Sequence, residues 1–264
     1  MSGLVTIVTG GTFGIGRAIT LGLAERGHRV VAFGLEAPQP SSLAADAIPS
    51  LRVELADRGL DADLLEADVA VAADVERVVA HTVERHGRVD ALVNNAAIGP
   101  LGTVLDTDEA LFDRIIAVNL KGPYLTSRAV LAHFRAQGGG RIVNVGSGAG
   151  WGKHNMAVYS ASKAGVHGLT MAMAYDHFAD NVRVNMVIPG GGGIISGMSL
   201  GRTGGDVVAA TANAVGTAAG RAATGDDIAR AVAFLLSEDA EVISGTVIDV
   251  GCFSHQGGPL RVAR

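Results

Sequence analysis

Tyr159 and Lys163 stand four residues apart in the run Tyr159-Ser160-Ala161-Ser162-Lys163. On a helix that spacing puts a phenol and an ammonium on one face, one turn apart. A free phenol titrates near pH ~10 and is a poor acid or base at neutral pH. A neighbouring ammonium favours the phenolate and brings its pKa toward working pH. The pair is therefore a candidate general acid/base. Tyrosine and lysine also meet at this spacing by chance, so its weight comes from the rest of the chain.

A second group of residues suits a phosphate. Thr9-Gly10-Gly11-Thr12-Phe13-Gly14-Ile15-Gly16 follows an apolar run and opens a helical one. Glycines there allow a tight turn and close backbone approach to a pyrophosphate, and a helix N-terminus attracts negative charge. The spacing Gly10, Gly14, Gly16 differs from the commoner G-x-G-x-x-G. Glu36 stands 20 positions past Gly16, near the ~20-residue offset of a carboxylate that takes ribose hydroxyls. Glu36 has two readings, that acceptor or a solvated loop carboxylate. Phe13, Gly34 and Leu35 bring no cation for a 2′-phosphate, which favours NAD and leaves NADP open.

Elements that would hold these groups alternate along the chain. Strand-like runs fall at Leu4–Val8, Arg29–Phe33, Asp61–Ala67, Ala91–Val93, Arg141–Val145, Arg183–Val187 and Thr246–Val250. Helical periodicity runs over Gly14–Arg26, Leu51–Arg58, Asp74–His86, Thr107–Gln137, Val158–Phe178 and Asp226–Ser237, with the long Thr107 stretch expected to break near Gly122-Pro123. This alternation predicts a single α/β domain over residues 1–264, a Rossmann-type doubly wound parallel sheet in three α/β/α layers. Pro38–Pro49 reads as a loop. Gly190–Thr224 is irregular and follows a strand end, where open α/β sheets bind ligands, so 190–224 is the expected substrate-binding region. Its two arginines are Arg202 and Arg221. Arg202 has two readings, contact with an anionic group or exposure.

Composition narrows the class. The 264 residues are 48% hydrophobic and 18% charged, with a formal net charge of -5, which suits a globular protein with a large core. No dense Lys/Arg run points to nucleic acid. No apolar stretch approaches the ~18 residues of a membrane span, and the first residues read as a strand rather than a signal peptide. The single Cys252 agrees with a reducing, cytoplasmic setting. Dispersed histidines and one cysteine give no metal pattern, so no metal is expected. Trp151 and His154 lie between Ser147 and Tyr159. Each has two readings, a pocket or an ordinary loop residue; for Trp151 a pocket or subunit contact is favoured, because a lone Trp on a loop is costly to expose.

Taken together and in order, these motifs resemble the short-chain dehydrogenase/reductase family over nearly the whole chain. Thr9–Gly16 looks like its T-G-x-x-x-G-x-G cofactor loop, which implies contacts from Gly10, Thr12, Phe13, Gly14, Ile15 and Gly16. Asp68-Val69 sits where the family has an Asp near adenine, and Asn94-Asn95-Ala96-Ala97 resembles N-N-A-G, with Asn95 and Ala96 beside the cofactor. Asn119 resembles the family's helix asparagine. Ser147 follows a strand as its catalytic serine does, and Tyr159-x-x-x-Lys163 completes the set. Pro189-Gly190 matches the loop near the nicotinamide.

The resemblance implies hydride transfer between NAD or NADP and a small-molecule secondary alcohol or ketone. Tyr159 is then the acid/base, and Lys163 lowers its pKa and binds the nicotinamide ribose. Ser147 bonds the substrate oxygen, and Asn119 holds a relay water. It also implies a homotetramer packed through residues 107–136 and 158–178. The alternatives are an NADPH-dependent reductase of 3-oxoacyl thioesters and a dinucleotide-binding regulator without turnover.

Three departures stand out. Ala97 replaces a glycine. Gly190–Gly193 and Ser196 replace P-G-x-x-x-T, so either Ser196 supplies the displaced hydroxyl or that contact is missing. Val250 replaces the first glycine of V-D-G-G.

Overall fold

A computed structural model of the chain describes residues 3–36, 46–190, 194, 197–206, 208–209 and 217–251. Ser196, Gly191–Gly193 and Cys252 lie outside the described residues. The strands are β1 (Val5–Thr9), β2 (Arg29–Gly34), β3 (Ala62–Glu66), β4 (Ala91–Asn94), β5 (Gly140–Val145), β6 (Val182–Ile188) and β7 (Val247–Asp249). All pair in parallel, in the order β3-β2-β1-β4-β5-β6-β7. The order reverses between β1 and β4, which opens a crevice beyond their C-terminal ends.

Successive strand residues go to opposite faces, and both faces are covered. Val8, Ala32, Val93 and Val143 join a core with α1 (Gly14–Ala24), α2 (Ala47–Asp57) and α8 (Gly225–Leu236). Ile7, Val31, Leu92 and Ile142 join a second core with α3 (Ala72–His86), α5 (Gly122–Gln137) and α6 (Ala157–Asp176). This is the three-layer α/β/α arrangement that near-continuous apolar strands require.

Several expected boundaries shift by a few residues, the stretch read as irregular after Gly190 contains a short helix at Gly197–Arg202, and two further differences have a clear cause. The loop read up to Pro49 ends sooner, because α2 starts at Ala47. Pro49 sits in its first turn, where a missing N–H costs no helical bond. The break expected at Gly122-Pro123 falls one turn earlier and is not a break. α4 (Glu109–Ile116) passes into a π-helical turn, Ala117–Lys121, and then into α5. Gly122 N–H reaches back five residues to the Ala117 carbonyl. Pro123 has no N–H to offer the Asn119 carbonyl four residues back, and the wider turn absorbs that loss.

Candidate active site

The glycine turn is built for close backbone contact. Gly10 and Gly14 have φ of +59° and +55°, the left-handed region that glycine enters without strain. A Cβ on Gly16 would lie 1.9 Å from the Gly10 carbonyl oxygen, so α1 starts directly on the turn. Phe13, at the N-cap, has no side-chain oxygen to accept a first-turn N–H. The α1 N-terminus is thus a fitting seat for a phosphate. Thr12 is buried against the end of β2: a Cβ on Gly34 would meet its hydroxyl at 2.7 Å.

Asn95 ties this turn to β4 across the switch point. Its amide donates to the carbonyls of Thr9 and Gly10, both at 3.0 Å. The Thr9 hydroxyl accepts the N–H groups of Asn95 and Ala96 at 3.0 and 2.9 Å. Sequence reasoning gave Thr9 no role, although its place at the head of the glycine run was a usable signal. Glu36 is partly buried two residues past β2. Asp68 has a fuller set of bonds than expected. One carboxylate oxygen pairs with Arg114 at 2.9 Å and the other accepts the Ala70 N–H at 2.9 Å. Val69 is buried under Gly122, where a Cβ would touch it at 3.0 Å.

Three candidate catalytic residues converge at the end of β5. Ser147 lies two residues beyond it, and its hydroxyl accepts the Ala149 N–H at 3.2 Å, opening the 3-10 turn Gly148–Trp151. Tyr159 is buried in the first turn of α6. Lys163, one turn later, donates from Nζ to the Val145 carbonyl at 2.8 Å and lies 5.9 Å from the Tyr159 ring centre. Burial lowers the Lys163 pKa to about 8, because an ammonium loses its hydration there.

Asn119 sits in the π turn with both amide hydrogens committed. They go to the Ile98 carbonyl at 2.8 Å and the Ser162 hydroxyl at 3.0 Å, while its oxygen accepts the Ile98 N–H at 2.9 Å. Ser162 in turn donates to the Tyr159 carbonyl at 2.7 Å. The asparagine side chain therefore joins the loop after β4 to α6, which carries Tyr159 and Lys163. Ser162 was missed because nothing in the sequence marks its partner 43 residues away.

Pro189 and Gly190 follow β6, and a Cβ on Gly251 would lie 2.1 Å from the Gly190 Cα. Gly251, beside the unusual Val250, is thus the glycine the close approach requires. Trp151 is 47% exposed and stacks edge-on against His167 at 6.0 Å, whereas His154 is exposed. Among the described residues no group of His, Cys, Asp and Glu could hold a metal, and no helix is long and apolar enough to cross a membrane.

A doubly wound sheet, a glycine cradle at its switch point and a Tyr–Lys helix beside it define a class of dinucleotide-binding α/β proteins. The chain belongs to the short-chain dehydrogenase/reductase family: the family model for short chain dehydrogenase matches residues 4–199. It is 41% identical over 189 residues to an uncharacterized oxidoreductase of Thermotoga maritima, covering 71% of each chain. It is 37% identical to 2-(S)-hydroxypropyl-CoM dehydrogenase 3 of Xanthobacter autotrophicus, covering 93% of this chain and 94% of that one. Among solved structures, a single-substitution variant of actinorhodin polyketide ketoreductase with NADPH matches with a TM-score of 0.81 and 30% identity, over 94% of this chain and 95% of that one.

Proposed function

We propose that the chain is an NAD(P)-dependent oxidoreductase that interconverts a secondary alcohol and a ketone. The observation that carries this reading is the buried Lys163, held beside Tyr159 by the carbonyl of Val145, two residues before Ser147. The bound nicotinamide dinucleotide supplies or takes up the hydride. In reduction Tyr159 gives its phenolic proton to the carbonyl oxygen, and in oxidation it takes that proton back. The Lys163 ammonium stabilises the phenolate left behind. The Ser147 hydroxyl donates to the substrate oxygen as charge builds on it. Asn119 holds a water that returns the proton from solvent by way of Lys163.

The cradle is Gly10–Gly16, with Thr12, Phe13 and Ile15, and Asn95, Ala96, Pro189 and Gly190 line the crevice. Asp68 and Val69 flank the adenine end. NAD is the preferred cofactor in this reading. Glu36 follows β2, and Arg17, the first cation after the glycines, is already bonded to Glu54 at 2.7 Å and Ser50 at 3.0 Å. The likeness to a ketoreductase solved with NADPH favours the second reading, an NADPH-dependent reductase of 3-oxoacyl thioesters. Parallel titration with NADH and NADPH separates the two. Residues 1–264 act as one domain, with 190–224 closing over the substrate, in a cytoplasmic homotetramer.

Tyr159→Phe is expected to cut turnover by roughly 10²–10⁴-fold while the cofactor dissociation constant stays within about threefold. A Phe variant with a near-normal rate overturns the assignment.

A further inference from the structure

The surroundings of Tyr159 hold apolar side chains that proton transfer leaves unused. Ala149, Met156 and Tyr159 form one buried cluster, and Met198 packs onto it from α7 (Gly197–Arg202). Methionine is unbranched and polarisable, so two of them make an adaptable wall. A parallel bridge pairs Gly102 with Met156. It is closed by Gly102 N–H to the Asn155 carbonyl at 2.9 Å and Ala157 N–H to the Gly102 carbonyl at 3.2 Å.

That bridge fixes the loop after β4 beside the cluster. On this loop Leu101, Val104 and Leu105 are 51%, 77% and 96% exposed. Three large apolar side chains thus stand exposed within five residues of one loop. Arg221, in the segment expected to face substrate, is held by both carboxylate oxygens of Asp227 at 2.6 and 2.7 Å. It is therefore committed within the fold. Lys153 and His154, close before Met156, are exposed.

We propose that the substrate class is an alkyl ketone, or its secondary alcohol, with an unbranched apolar arm. The arm seats against Met156 and Met198 and runs out past Gly102 to the Leu101–Leu105 rim. This inference rests on the reading of Tyr159 as the acid/base.

The test is a series of methyl ketones from butanone to decanone, each reduced with NADH and with NADPH, beside ω-carboxylated ketones of equal length. The expected result is a kcat/KM that climbs about fourfold per methylene, with the carboxylated partners roughly tenfold or more poorer. Met198→Ala should flatten the climb, and Met198→Leu, which keeps apolar volume, should retain it. A flat series, or a preference for the carboxylates through Lys153, overturns the substrate class and leaves the oxidoreductase reading standing.

Binding gives a readout without turnover, because Trp151 is the chain's single tryptophan and sits on the turn beside the cluster. Its fluorescence should report saturable ketone binding to Tyr159→Phe that tightens with arm length. Such binding without turnover by the unaltered chain would uphold the apolar site and overturn the acid/base reading. Absence of both overturns both.

Discussion

Lys163 is the residue whose chemistry the fold alters most. It is buried, its Nζ meets only a carbonyl oxygen among its described hydrogen bonds, and its pKa falls from 10.5 to about 8. Below pH ~8 both folded and unfolded chains hold the proton, and the folded state bears the full cost of a desolvated ammonium. Between about 8 and 10.5 the folded chain sheds its proton first, so this group adds stability as pH rises. Above that range neither state is charged and the cost is gone. Lys163→Met should therefore be more stable than the unaltered chain at pH 7, on the order of 3 kcal/mol for a shift of that size, and inactive. Urea unfolding of the cofactor-free chain at pH 7, 9 and 11 checks this. A gap that stays constant with pH would show that burial does not set the lysine's titration. The four-residue spacing announced the Tyr–Lys pair, but nothing local announced that the amine would end on the Val145 carbonyl.

At the scale of elements, a buried polar chain crosses the sheet behind the site. Thr126 of α5 donates to the Asn94 oxygen at 2.6 Å, and the Asn94 amide donates to the Asn144 oxygen at 2.8 Å. The Asn144 amide then reaches the Thr170 hydroxyl of α6 at 2.8 Å. Asn94 and Asn144 are direct neighbours in the β4–β5 register, and all four residues are buried. This chain pins α5, just after the π turn carrying Asn119, and α6, which carries Tyr159 and Lys163, to the same two strands. Asn144→Leu keeps the branched shape and the number of side-chain heavy atoms but strands an Asn94 N–H in the interior. It should lower stability by about 1–3 kcal/mol, read as a shifted urea midpoint at unchanged slope. A variant as stable as the parent would mean the ladder carries no weight. In the sequence, Asn94 was visible only as the start of Asn-Asn-Ala-Ala, and Asn144 was hidden inside an apolar strand. The π turn was hidden too, since Gly122-Pro123 reads as a break when only local signals are weighed.

For the whole molecule, the proposed tetramer makes a direct prediction. Sedimentation should give four times the 26.8 kDa chain mass, and a stable monomer would refute it. Tyr124 on α5, Tyr175 near the end of α6 and Phe178 in the turn that follows it are large aromatic side chains left exposed on the chain alone. That is surface an assembly through these helices can cover.

The α/β alternation, the glycine turn and the Tyr–Lys spacing were determined by the sequence, because each depends on neighbours within a few residues: backbone sterics, side-chain period and helical pitch. The three-layer class follows from the same local signals. Tertiary structure alone decided what those residues meet. Asn95 crossing to Thr9 and Gly10, Asn119 clasping Ile98 and Ser162, and Met198 packing beside Tyr159 all join segments distant in the chain. Such contacts arise only when the strand order brings loop ends together at one edge of the sheet, and no local period encodes that order.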